Sequence, residues 1–222
     1  MDLDAPFSGQ LLLPDTLLPH GETPVELPDG QMVAQIRRSL LQWRSFGILD
    51  ADGNDVAEGR ATGLMRRRYT VTRADSAQLL ELRLGWRGTA GRSRVTLPDG
   101  RQVTVRGSTF RRRFIIRDAE GTELGTIRPD RNLTNVMSLF TQAYRVTLHQ
   151  PVLSIVQAAG LVQCLRKAVK SRQSGNRRRV GGVSVGGVRV GSVGNRGHGR
   201  GRGLNVGSIA GGIARGVRSR RR

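Results

Sequence analysis

The chain has 222 residues, a single cysteine and a formal net charge of +20, which leaves room for one ordinary domain with tails and excludes an internal disulfide. The charge is uneven: all 17 acidic residues lie at or before Asp130, and the 18 basic residues beyond it form an acid-free stretch. Residues 1–130 are close to neutral, so the composition describes a balanced folded part followed by a basic tail suited to an anionic polymer or surface.

Residues 1–30 hold five of the eight prolines and show little periodicity, and they read as a loose N-terminal arm with LLLPDTLL laid against the domain. The opening MDLDAPFSGQ is acidic and no apolar run follows it, unlike a secretory signal, so a cytoplasmic location is expected. From Gln31 the texture changes. Short alternating runs are punctuated by Asp-Gly or a near relative, the pattern of β-hairpins, as in FGILDADGNDVAEG, SRVTLPDGRQVTV and RRFIIRDAEGTELGTI. In SRVTLPDGRQVTV, Val95 and Leu97 share one side, as do Val103 and Val105, with Arg and Thr opposite. That period of two predicts a sheet with one dry and one wet face.

The hairpins resemble one another. RRRYTVTRADSAQLLELR (66–83) aligns without gaps on RRRFIIRDAEGTELGTIR (111–128) at an offset of 45, and FGILDADGNDVA (46–57) aligns on FIIRDAEGTELG (114–125) at an offset of 68. Unequal offsets exclude a solenoid of fixed period and fit a ladder of consecutive hairpins with variable loops. Roughly ten strands fit between residues 31 and 148, ending in AYRVTLH, which predicts a closed barrel or a sandwich. The stretch RPDRNLTNVMSLFTQ (128–142) is not cleanly strand-like.

Next comes PVLSIVQAAGLVQCLRKAVK (151–170), with Pro151 placed at the first helical position. Its apolar residues point in every direction around a helix, which is therefore buried on all sides by protein or by lipid. A span needs about 20 predominantly apolar residues. Only Pro151 to Leu165 is uninterrupted here, and it includes two glutamines and a serine. The preferred reading is a helix threaded through the barrel, with Ile155, Val156, Ala159 and Leu161 buried by strands. Residues 171–222 hold 15 Gly and 13 Arg with neither acid nor aromatic, and are expected to be disordered.

Consecutive hairpins with Asp-Gly turns, a Tyr-containing last strand (AYRVTLH) and an all-round hydrophobic helix resemble the tubby C-terminal-like superfamily. The likeness covers about residues 31–170 and is nearest to the bacterial LURP-one-related, phospholipid scramblase-like type. It implies a mainly β fold, a closed antiparallel barrel of about 10–12 strands around a central hydrophobic helix at about 151–170. Tubby domains bind phosphoinositides at a basic surface, and scramblases associate with membranes and calcium. No local motif carries tubby's lipid-binding residues onto this chain.

Three features compete for chemistry. DADGND (50–55) has the opening letters of a calcium loop, but the sixth and twelfth positions are Asp55 and Ala61, and a hairpin turn explains the same letters. Arg66, Arg67 and Arg68 precede Tyr69, and Arg111, Arg112 and Arg113 precede Phe114, at equivalent strand starts. Converging at one barrel end, the triplets would bind phosphate oxygens through guanidinium forks; otherwise they are solvated strand ends that blunt sheet edges. The tail arginines Arg177, Arg178, Arg179, Arg196, Arg200, Arg202, Arg218, Arg220, Arg221 and Arg222 suit a polyanion, either nucleic acid or an anionic membrane.

His20, His149 and His198 lie in unconnected settings, Cys164 falls within the buried helix, and neither a nucleophile elbow nor a Walker loop is present. The expectation is therefore a non-catalytic binding or scaffold module without metal or cofactor. It would recognise anionic phospholipid head groups, peripheral at the inner membrane surface. A nucleic-acid-binding protein acting through the tail and a structural domain without a specific ligand are the alternatives.

Overall fold

The computed structural model describes residues 1–14, 21–38, 45–62, 67–85, 89–108, 113–130 and 143–180, the side chains of 89–90 and 171–180 excepted. Twelve strands precede one helix. They are β1 (Pro6–Leu13), β2 (Gly21–Glu26), β3 (Met32–Arg38), β4 (Ser45–Asp50), β5 (Asp55–Thr62) and β6 (Arg68–Arg73). There follow β7 (Gln78–Gly85), β8 (Thr89–Thr96), β9 (Gln102–Ser108), β10 (Arg113–Arg117), β11 (Glu123–Asp130) and β12 (Ala143–Ser154), then α1 (Ile155–Val180). Each strand pairs antiparallel with the next, and β12 returns to β1, so the sheet closes into a barrel. Closure leaves no sheet edge to protect.

Residues 1–14 and 21–30, the described part of the expected arm, are not loose. Leu11, Leu13 and Val25 are fully buried, and β1 pairs with β12 from Pro6–Ser154 to Leu13–Tyr144. Prolines disguise these two strands. Pro6 opens β1, and β2 meets β1 through one register pair, Leu12–Glu26, a sparse seam where a proline such as Pro24 is tolerated.

The five tight hairpins share one turn. In Leu27–Gln31, Asp50–Asn54, Arg73–Ala77, Leu97–Arg101 and Asp118–Thr122 the first N–H donates to the fifth carbonyl, and the fourth N–H donates back to the first carbonyl. The fourth residue takes a positive φ and is Gly30, Gly53, Gly100 or Gly121, with Ser76 (φ 70°) the exception. The sequence repeat is structural as well. At an offset of 45, β7 falls on β11, and the same register slip occurs at Ile48/Leu49, Val71/Thr72 and Ile116/Arg117.

The helix fills the barrel. Ile155, Val156, Ala159 and Leu161 have no exposed surface, and the core around them is built from Ile48, Val71, Leu80, Leu82, Val95, Val105 and Ile127. Pro151 does not start the helix, because Pro151–Ser154 still belong to β12. Ser154 caps it instead: the Gln157 N–H donates to Ser154 Oγ (3.1 Å) and the Ser154 N–H donates to Gln157 Oε1 (2.9 Å). This reciprocal pair satisfies two of the donors a helix start leaves open. Gln157 Nε2 also donates to the Leu79 carbonyl (3.0 Å), tying the helix start to β7. A Cβ on Gly160 would sit 3.0 Å from Val71 Cγ2, so the absence of a side chain lets helix and wall approach.

The helix runs ten residues past Lys170, so the start of the expected disordered tail, 171–180, is helical backbone. No helix among the described residues is long and apolar enough to cross a membrane. Residues 131–142 and 181–222 lie outside the described residues.

Candidate anion-binding face

Antiparallel closure gives the barrel two chemically different ends. At the end of the five tight turns, the third turn positions are Asp29, Asp52, Asp75, Asp99 and Glu120, all exposed. Several of the acids here are committed to the backbone. Asp50 accepts from the N–H groups of Asp52 (2.9 Å) and Asn54 (2.8 Å) and from Asn54 Nδ2 (2.8 Å). Those bonds, Asn54's foremost, hold its carboxyl below the ordinary carboxylate range. DADGND is thus a clasped hairpin turn, and among the described residues no group of three or more His, Cys, Asp or Glu side chains could hold a metal ion.

At the opposite end, described strand starts carry arginine, and so does the adjoining wall. Arg68 starts β6 and Arg113 starts β10, both exposed at the same barrel end, with exposed Arg67 just before β6. Arg66, Arg111 and Arg112 lie outside the described residues, as do Arg196, Arg200, Arg202, Arg218, Arg220, Arg221 and Arg222. Arg177, Arg178 and Arg179 fall on helical backbone whose side chains are not described. Arg68 and Arg113 do not meet directly. Strands β7, β8 and β9 stand between them, a gap of about 19 Å at the usual inter-strand spacing.

The gap is filled by arginines that the sequence reading missed. Register places Arg68 opposite Arg83, Arg83 opposite Arg94, Arg94 opposite Thr104, and Thr104 opposite Arg117. One pleat away, Arg92 is opposite Arg106. Inward positions of the same strands (Leu82, Val95, Val103, Val105) are buried, so the arginines project outward. Seven arginines, counting Arg113, thus share the outer wall of β6–β10 with one outward carboxylate among the described residues, Glu81. Glu81 pairs with Arg68 (3.3 Å) and with Arg83. The side chains of Arg92, Arg94 and Arg106 make no hydrogen bond or ion pair with any described residue. Like charges directly opposite on neighbouring strands are destabilising, so folding alone does not favour this arrangement.

Arg83, Arg92, Arg94 and Arg106 surround a recess of about 640 Å³ on β7–β9, with Gly85 and Gly91 in its lining. A Cβ on Gly85 would fall 2.0 Å from the Arg92 carbonyl oxygen, so glycine is required for β7 and β8 to approach there. The legible signal was Arg92-x-Arg94 on the wet face of a period-two strand. Its partners Arg83 and Arg106 arrive only through register.

The basic cluster at the end of the buried helix has a different role. Arg166 is buried, donates to the Leu13 carbonyl (2.6 Å) and lies 4.8 Å over the Tyr144 ring. Lys167 Nζ donates to the Ser45 carbonyl (3.0 Å). Burial, then the positive charges of Arg38 and Lys170, lower the Lys167 ammonium to about 8, with Cys164 opposing. These side chains anchor α1 to the barrel mouth. Cys164 is fully buried and its thiol is pushed up by desolvation, which leaves it protonated at neutral pH. His149 is half exposed and 3.7 Å from Glu123.

Neither a protein-family model nor a curated protein sequence matches the chain. Among solved structures, the X-ray structure of a protein from Arabidopsis thaliana aligns with 77% of this chain and 94% of its own, at 14% identity and a TM-score of 0.49.

Proposed function

We propose that this chain is a non-catalytic binding module of the tubby-like, LURP-one-related kind that docks peripherally on anionic phospholipid surfaces through the outer wall of β7–β9. The observation that carries this reading is the outward arginine lattice, seven guanidinium groups against one outward carboxylate, Glu81, among the described residues. Twelve strands share the circumference, about 30° each, so a flat surface meets about three neighbouring strands at once. Centred on β8, those three present Arg83, Arg92, Arg94 and Arg106. Each basic residue near an anionic bilayer contributes about 1 kcal/mol, and the attraction is screened by salt. The acidic turns lie at one end of the barrel, off this wall, and the Arg-rich residues 171–222 add long-range attraction.

Vesicle binding tests the reading. The full chain is expected to bind phosphatidylcholine vesicles doped with phosphatidylglycerol, to ignore undoped ones, and to release as salt rises. The Arg83→Gln/Arg94→Gln variant should bind about thirtyfold more weakly, at about 1 kcal/mol per arginine. Affinity unmoved by that variant but abolished by replacing Arg218, Arg220, Arg221 and Arg222 with Gln would assign binding to the tail. Tight, salt-steep RNA binding without vesicle binding would favour a nucleic-acid role.

A further inference from the structure

The recess on β7–β9 is more specific than a charged wall needs to be. Its four arginines form two cross-strand pairs, Arg83 with Arg94 and Arg92 with Arg106, offset by one pleat along β8. Directly opposed residues hold their Cβ atoms about 5 Å apart, and Arg92 and Arg94 are separated by about 6.6 Å along the strand. Four guanidinium groups are thereby gathered around one depression of about 640 Å³. Glu81 engages Arg83 from the side, and the other three arginines have no partner among the described residues.

The chemistry of a phosphate ester decides what such a cluster prefers. A phosphomonoester at neutral pH carries a charge of about −1.5 to −2 and presents three terminal oxygens. A phosphodiester carries one negative charge and two such oxygens. One guanidinium fork can satisfy the two oxygens of a diester, leaving the opposed guanidinium unneutralised. A monoester can accept from both forks of an opposed pair and balance both charges.

We propose that the recess bounded by Arg83, Arg92, Arg94 and Arg106 selects lipids whose head group is a phosphomonoester, the chemistry of phosphatidic acid, over phosphodiester lipids at equal surface charge. This rests on the lipid-surface reading above and adds a head-group preference to it.

The test uses the full chain and two vesicle sets, phosphatidylcholine doped with phosphatidic acid or with phosphatidylglycerol, adjusted to the same zeta potential. Binding to the phosphatidic acid set should be tighter by about tenfold or more, the value of one additional charge-assisted hydrogen bond. Arg83→Gln/Arg94→Gln and Arg92→Gln/Arg106→Gln should each erase most of that preference without changing the far-ultraviolet circular dichroism. Arg128→Gln, an exposed position on β11, should keep it. Glycerol 3-phosphate, a soluble monoester, should lower phosphatidic acid binding towards the phosphatidylglycerol level. Equal binding to both sets at matched potential would overturn the head-group preference and leave surface docking intact. Binding to neither would overturn both.

Discussion

Strands β7, β8 and β9 show two faces built from alternate residues of the same chain. Inward, Leu80, Leu82, Val95, Val103 and Val105 are buried in the core that the residues of α1 share. Outward, Arg83 faces Arg94 and Arg92 faces Arg106, contacts that oppose folding by about 0.2–1 kcal/mol per pair. The inner face is what any barrel with a central helix requires. The outer face is not, and a local departure from what folding favours is where a binding role is expected.

The contrast can be broken from the inside first. Leu161→Ala deletes a fully buried side chain in the N-terminal half of α1 and should cost about 2–5 kcal/mol in chemical denaturation. Vesicle affinity per folded molecule should stay unchanged. A loss of affinity without a loss of stability would mean that the helix faces the ligand and not the wall.

From the outside the expected effects are smaller and of opposite sign. Arg94→Glu turns the repulsive cross-strand contact with Arg83 into an attractive one. It should raise stability by about 0.5–1 kcal/mol while weakening binding to anionic vesicles. Destabilisation by this change would show that the arginines are structural.

Lys167 sharpens the comparison from a third position, a cation inside the barrel mouth. Its ammonium is lowered to about 8 from an ordinary 10.5, chiefly by burial. Between those values the unfolded chain holds more protons than the folded one, so stability should rise as pH rises through that window. Denaturation at pH 7.5 and pH 10 checks the sign, and Lys167→Met should flatten the slope.

Much of this architecture was legible in the sequence because its signals were local. Period-two alternation with Asp-Gly turns marked the hairpins. The repeat at offsets of 45 and 68 lies on three hairpins that share one register slip. The all-round apolar run marked the enclosed helix. The misreadings arose where two signals competed. Pro151 suited a helix start, but Ser154 and Gln157, spaced as a capping box, mark it three residues later, after a twelve-residue strand. In residues 1–30 proline density hid the buried alternation of Leu11 and Leu13. The arginine recess was illegible for another reason. Its members come from three strands, and only the pairings of β7 with β8 and of β8 with β9 bring them together.

The central claim is that the wall of β7–β9 faces the anionic bilayer, and one measurement addresses it directly. The sole cysteine, Cys164, is buried, so a cysteine introduced at the surface can be labelled selectively. Gln102 on β9 and Glu22 on β2 are both exposed, on opposite sides of the barrel. Each is replaced by Cys and given a fluorophore, and quenching by a water-soluble quencher is followed as phosphatidylglycerol vesicles are added. Protection at Gln102 with none at Glu22 is the predicted result. Equal protection at both, or protection at Glu22 alone, would contradict it.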